Sequence, residues 1–284
     1  MKKVLFTLVL TAFAAAQTPA FAADDAHPHD KPLLVGSDFG VAPWMMRGVN
    51  GPEGFGYDMI MDIAKRIGRP GAQVDDIAFS GLFAALLSGR IEMTANPLNI
   101  TAERAKTMLY TEPFMATGNG FITAKGTEMT SLDDLKGKVL AVNRGTTQDK
   151  WGTENADKYG FTMQRFDSFP DSVQAVITKR AFAAANEIPT AAYAADKNPA
   201  IELAFTEYDG RMFGYAFRKE DVKYRDLVEG AVECMKQDGT LKALYEKWYG
   251  GDIPTDSPLI TVYPGYGAPG FEGYDATPHD VVCK

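Results

Sequence analysis

The chain has 284 residues, 45% of them hydrophobic, and carries 37 acidic against 29 basic side chains for a formal charge of −8. That balance argues against nucleic acid as a partner, since its binders cluster Lys and Arg. The length allows one large domain or two smaller lobes.

Lys2 and Lys3 precede an apolar run over residues 4–16 that is too short to span a bilayer. Pro19-Ala20-Phe21-Ala22 supplies the small-x-small pattern of a signal-peptidase site, so cleavage is expected after Ala22, with export to the periplasm. No cysteine stands at the cut to carry a lipid, and no second apolar run reaches membrane-spanning length. Residues 23–31 read as a polar, disordered leader.

Residues 33–36 form a short apolar strand ending in a turn. Ile60, Ile63, Ala64 and Ile67 recur at helical spacing over residues 57–67, and Gly68 closes the helix. A strand over 74–77, an amphipathic helix over 79–87 and a strand over 91–95 follow. The pattern restarts with a strand at 121–123, a capped turn at 131–135 and a strand at 139–143. A helix runs from Thr146 to about residue 160, then a helix over 172–178, a strand over 182–185 and a helix over 188–195. Residues 212–217 read as a strand returning to the first unit, and helices over 222–237 and 240–248 are separated by Asp238-Gly239. Strands alternating with helices mean α/β units with largely parallel sheets. Two such units, crossed near residues 116–122 and 211–216, would set the carboxyl ends of their strands face to face around a cleft.

Cys234 and Cys283 are the two cysteines, and an even count in an exported chain points to a disulfide. It would close a loop of about 50 residues, worth roughly 4 kcal/mol by chain entropy. His27, His29 and His279 lack ligand spacing, so no metal is expected, and nothing calls for a cofactor.

A series of short blocks carries a family resemblance: Gly36-Ser37-Asp38 through Trp44, Gly54-Phe55-Gly56-Tyr57-Asp58, Ser88-Gly89-Arg90-Ile91-Glu92, Ile100-Thr101-Ala102-Glu103-Arg104 and Tyr110-Thr111-Glu112-Pro113-Phe114. It continues through Leu135-Lys136-Gly137-Lys138, Gly145-Thr146-Thr147, Asp238-Gly239-Thr240 and Tyr245-Glu246-Lys247-Trp248. Ordered and spaced in this way from about residue 31 to 250, the chain resembles the bacterial extracellular solute-binding proteins of family 3, the polar amino-acid-binding proteins of ABC transporters. The resemblance implies an α/β, two-lobed periplasmic-binding-protein fold of type II, with two hinge strands and a cleft between lobes. It implies a signal peptide (1–22), a polar leader (23–31), lobe 1 from 32–118 and 214–250, lobe 2 from 119–213, and a C-terminal extension (251–284) packed on lobe 1. The implied partners are a small amino-acid-like ligand bearing a carboxylate and an ABC transporter permease, with the protein acting as a monomer and not as an enzyme.

By the same resemblance, Arg104 would grip the ligand's α-carboxylate, a task that suits a planar guanidinium able to form two parallel charged hydrogen bonds. Gly145, Thr146 and Thr147, between a strand and a helix start, would hold that carboxylate from the opposite lobe with backbone N–H groups and hydroxyls. Glu187 falls where the family places an aspartate for the ligand's ammonium. Phe79 and Trp44 match aromatic walls, with Val41 making one wall smaller than usual. Asn96-Pro97-Leu98-Asn99 departs from the family's Ser, Thr or Gly here, and offers the amides of Asn96 and Asn99 instead. Asp38 shapes the exit of the first strand and is a weaker candidate for ligand contact. Plain structural roles compete throughout: a surface Arg104, a helix cap at Thr146, a dipole-complementing Glu187, a core Phe79. Two other functions remain open on this scaffold, a cyclohexadienyl dehydratase-like enzyme and an adaptor for a periplasmic enzyme or sensor.

Overall fold

The structure is a computed structural model that describes residues 27–283, so the expected signal peptide and its cleavage site lie outside the described residues. β1 (Leu33–Ser37) leads through a hairpin of β2 (Met46–Gly48) and β3 (Gly51–Glu53) into α1 (Phe55–Arg66). β4 (Ala72–Asp76), α2 (Phe79–Leu87) and β5 (Met93–Thr94) follow, and β4 and β5 pair parallel on either side of β1. Met59, Ile60, Ile63 and Ala64 form the buried stripe of α1 and share one core with Leu33 and Val35 of β1. Gly54 fixes the helix start: at φ 135° it takes a conformation open to glycine, and a Cβ there would stand 2.5 Å from the Trp44 carbonyl oxygen. β6 (Leu98–Asn99), α3 (Ala102–Ala105) and β7 (Met108–Tyr110) then carry the chain to its first crossing.

β8 (Met115–Ala124) enters the second lobe, where a 3-10 turn at Leu132–Leu135 precedes β9 (Val139–Asn143) and α4 (Thr147–Tyr159). β10 (Thr162–Phe166), α5 (Phe169–Ile177), β11 (Ala183–Glu187) and α6 (Ile188–Lys197) complete that lobe. β12 (Ile201–Gly214) returns, β13 (Ala216–Arg218) pairs with β7, and α7 (Val222–Gln237) and α8 (Thr240–Trp248) pack on α1. The second sheet has the order β10-β9-β11-β8-β12-β6, parallel on both sides of β9 and antiparallel from β11 onward. Two lobes are thus joined by β8 and β12, which pair with each other from Ile201 opposite Ala124 to Phe213 opposite Met115.

Two expectations are corrected here. The returning strand is 14 residues long, not the six of 212–217, and breaks at Tyr215 before β13. Its first part alternates in apolar residues at Ile201, Leu203 and Phe205, and the mostly polar stretch that follows, with Thr206, Glu207 and Asp209, is held extended by pairing with β8 as far as Tyr208. The leader is also not free at its described end. His27 is buried, stacks on Tyr224 at 3.7 Å, and places Nδ1 3.0 Å from Glu92 and Nε2 3.3 Å from Asp221. Arg69 pairs with the same Glu92 at 2.8 Å.

Residues 251–283 wrap over α7 with little regular structure of their own. Lys236 pairs with Glu112 at 2.5 Å and donates to the carbonyls of Pro113 and Thr261, while Glu229 accepts the Gly267 N–H with both oxygens. Burial lifts the Glu112 carboxyl and lowers the Lys236 ammonium, and their contact opposes both shifts. Cys234 and Cys283 form a disulfide with Cα atoms 5.4 Å apart. Reduction, or a Cys234→Ser and Cys283→Ser pair, is expected to cost about 2–4 kcal/mol, read as a fall in melting temperature, and the native protein should resist thiol alkylation.

The His27 anchor has a pH signature. Burial disfavours the His27 cation and the Glu92 anion, but their mutual hydrogen bond, Asp221 beside the ring and Arg69 beside the carboxylate outweigh it. The His27 pKa is raised above 6.5 and the Glu92 carboxyl is held down at about 2. Stability from the raised histidine is full below pH 6.5 and is lost as pH rises through its folded value. Stability from the depressed glutamate is full above pH 4.5 and is lost as pH falls toward 2. The melting-temperature gap between wild type and His27→Ala should therefore be widest between those two bounds and narrow at either extreme.

Candidate ligand-binding site

The parallel strands of both lobes end at one cleft of about 520 Å³, a volume that includes space open to solvent. From lobe 1 the wall is built by the segment after β5. Asn96 Oδ1 accepts from Ser37 Oγ at 2.8 Å and from Asp38 N at 2.7 Å, which ties the ends of β1 and β5 together. From lobe 2 come Asn143 at the end of β9, the first turn of α4, and Glu187 at the end of β11.

Of the ten candidates, the cleft brings together Trp44, Phe79, Asn96, Asn99, Thr146, Thr147 and Glu187. Trp44 reaches it only as part of the core. It is 2% exposed, donates Nε1 to the Ala95 carbonyl at 2.7 Å, and packs on Phe55, Phe114, Phe213 and Tyr215. Its chain neighbours Val41, Ala42, Pro43, Met45 and Met46 are apolar, and so are its neighbours in space. Phe79 is buried as well and meets Phe83 edge-on at 5.8 Å.

Asp38 does not line the cleft. Its Oδ1 accepts from Gly40 N at 2.8 Å and its Oδ2 from Phe79 N at 3.2 Å, so it caps the start of α2. Burial pushes its carboxyl up, against the pull of those two N–H groups. Gly145 also stands outside the wall, and its N–H, expected to be free for an anion, is taken by Asp149 Oδ2 at 3.0 Å. At φ 78° it makes the turn into α4. Thr146 is the N-cap, accepting from Asp149 N at 3.1 Å and donating to the Asn143 carbonyl at 2.7 Å. The anion-binding capacity of this turn therefore falls to the first-turn N–H groups of Thr147 and Gln148, which have no intrahelical partner by position.

Arg104 lies at the cleft margin on α3, half-buried. Nη1 donates to the Asn99 carbonyl at 3.3 Å and Nη2 to the Gly145 carbonyl of the other lobe at 3.4 Å, while the guanidinium sits over Phe83 at 5.0 Å and Phe79 at 5.9 Å. Among the described residues no carboxylate is within ion-pair distance of it, and burial lowers its pKa. Next to it, Glu103 and Lys150 form an ion pair between the lobes.

Glu187 is the most heavily bonded group in the cleft. Asn99 Nδ2 at 2.5 Å, Thr147 Oγ1 at 2.9 Å and Gln148 Nε2 at 2.9 Å all donate to Oε1, and Thr117 Oγ1 donates to Oε2 at 2.7 Å. Arg211 lies 3.9 Å away, bonded in turn to Asn119 and Asp209. Asn143, Gln148, Thr117 and Arg211 were not singled out from the sequence. Asn143 closes an apolar strand just before Gly145 and Gln148 follows Thr147, so position alone could have flagged them. Arg211 sits in the mostly polar stretch 206–211 of β12, where nothing local marks it.

The chain belongs to the bacterial extracellular solute-binding proteins, family 3, which match residues 33–251. The L-cystine-binding protein TcyJ of Escherichia coli strain K12 is 30% identical over 225 residues, 78% of this chain and 84% of that one. An ancestral arginine-binding protein bound to arginine superposes with a TM-score of 0.74 at 30% identity, covering 78% of this chain and all of the other. An ancestral amino acid-binding protein described as a precursor of cyclohexadienyl dehydratase gives a TM-score of 0.71 at 29% identity, over 77% and 95% of the two chains. The fold is the type II periplasmic-binding-protein fold these proteins share.

Gly56 holds the aromatic wall in place, since a Cβ there would meet the Trp44 indole at 2.1 Å. Gly56→Ala should displace Trp44 and cost about 1–3 kcal/mol or more in chemical denaturation.

Proposed function

We propose that the protein is the periplasmic solute-binding component of an ABC importer, closing its lobes as a monomer on a small amino-acid-like molecule that it holds by a carboxylate. The observation that carries this reading is Arg104: a guanidinium at the cleft margin, largely desolvated, with two long bonds to backbone carbonyls and no acidic partner among the described residues. Leaving a cation in that state is costly unless an anion completes it. The first turn of α4 faces it from the other lobe, so a carboxylate bound by both would favour the closed state through its differential affinity. The relatives support the same class of ligand, since the named ones bind L-cystine and arginine.

The scaffold alone does not separate a binder from an enzyme. The cleft wall supports binding: among the described residues it contains no His, Cys, Ser or Lys, and its carboxylate, Glu187, already accepts four hydrogen bonds.

Arg104→Ala should weaken ligand binding by about thirtyfold to several thousandfold, the equivalent of 2–5 kcal/mol, with an unchanged circular-dichroism spectrum. Arg104→Lys should recover only part of the loss, because an ammonium cannot form the paired bonds. Calorimetric affinity equal to wild type in both variants would remove Arg104 from the site.

A further inference from the structure

The carboxylate that the family resemblance assigns to a ligand ammonium is heavily engaged from within this protein. A carboxylate offers about four acceptor positions, two on each oxygen, and Glu187 receives Asn99, Thr147 and Gln148 on Oε1 and Thr117 on Oε2. Arg211 beside it supplies the countercharge. Asn99 Nδ2 bridges Glu187 Oε1 and Thr147 Oγ1, at 2.5 and 2.8 Å, and so spends both its N–H bonds between the two lobes. A ligand ammonium at this position would be limited to the one remaining place on Oε2 or have to expel a donor from Oε1, and would sit near a guanidinium of its own sign.

The open valences of the cleft are of another kind. Asn143 is 2% exposed, lines the cleft, and has no hydrogen-bond partner on either Oδ1 or Nδ2. The Asp38 carboxylate is near enough to be favoured by this amide without meeting it in good hydrogen-bond geometry. Asn99 Oδ1 is buried and unpartnered as well. Buried amide atoms left unbonded destabilise a fold, so the cleft is built for a ligand that supplies both a donor and an acceptor. An ammonium only donates, and would leave Asn143 Nδ2 unmatched. A hydroxyl does both.

We propose that the ligand is a carboxylic acid that bears an uncharged hydroxyl in place of the α-ammonium, a 2-hydroxy acid, read by Asn143 and the free oxygen of Asn99. The proposal rests on the reading of Arg104 as the carboxylate anchor. Asn99, by occupying the acceptor face of Glu187, turns a site for zwitterions into one for simple acids.

The test is isothermal titration of the purified protein, unfolded and refolded to release carried ligand, with matched pairs: alanine and lactate, phenylalanine and phenyllactate, aspartate and malate, glutamate and 2-hydroxyglutarate. The hydroxy acid of at least one pair is expected to bind about tenfold tighter than its amino acid or better. Asn143→Ala should reduce that affinity by about tenfold with the melting temperature of the free protein maintained. Asn99→Ser, which cannot bridge to Glu187, should narrow or invert the preference toward the amino acid. An amino acid that binds wild type as tightly as its hydroxy analogue, or more tightly, overturns this inference and leaves the importer reading intact. Binding of neither member of any pair overturns the carboxylate-anchor reading itself, and the inference with it. Should Asn99→Ser fail to fold, the wild-type pairs still decide.

Discussion

The antiparallel pairing of β8 with β12 is the constraint on which everything else rests. Both strands run through the second sheet, β8 leaving the first lobe and β12 returning to it, so their register fixes where the two lobes face each other. β6 pairs with the far end of β12, with Asn99 opposite Phe213. Asn99 is thereby placed by the hinge sheet and not by lobe 1 alone, although it precedes both crossings in sequence. The bulges between Leu203 and Phe205 and between Tyr208 and Met212 bend this ribbon between the lobes.

The cleft lies at strand ends, and several of its polar neighbours also tie together the strands and helix starts that frame it. β1 and β5 are stitched by Asn96, α2 is capped by Asp38, and α4 is capped by Thr146. These residues look functional in sequence because they are polar and sit at turns, and the structure uses several of them as fasteners. What remains for a ligand is narrower: a guanidinium at one margin, two helix-start N–H groups opposite, and amides between. On the proposed reading, recognition would be divided between the charged margin at Arg104 and the amides of the cleft interior.

The sequence was most legible where local signals and burial agreed. α1 follows its apolar stripe, and α7 and α8 fall on either side of Asp238-Gly239 because that pair ends one helix and begins the next. The alternation of strand and helix was enough to yield two α/β lobes. It failed where a strand continues through a turn-like polar stretch, as β12 does at Asp209-Gly210-Arg211, and where a residue's neighbours in space are not its neighbours in the chain. Trp44, matched by resemblance to an aromatic wall of the cleft, is a core pillar. His27 looked like part of a loose leader and is clamped between two acids. Arg211 had no signal at all, since its importance comes from Asn119 and Glu187, 92 and 24 positions away.

The strap that ends at Cys283 bears on how the molecule comes to be assembled. Lobe 1 is made of two stretches separated by the whole of lobe 2, and its α7 keeps Arg225, Glu229 and Lys236 in its interior, where carbonyls and N–H groups of the strap complete their bonding. A chain that emerges from its amino end can close lobe 2 early, because residues 115–214 are continuous. Lobe 1 has its β4-β1-β5 sheet early, but α7 and α8 come only after lobe 2 and the buried charges of α7 stay unmet until the final segment arrives. The earlier half of the molecule is therefore the dependent one, and its maturity is decided by the last part of the chain to appear.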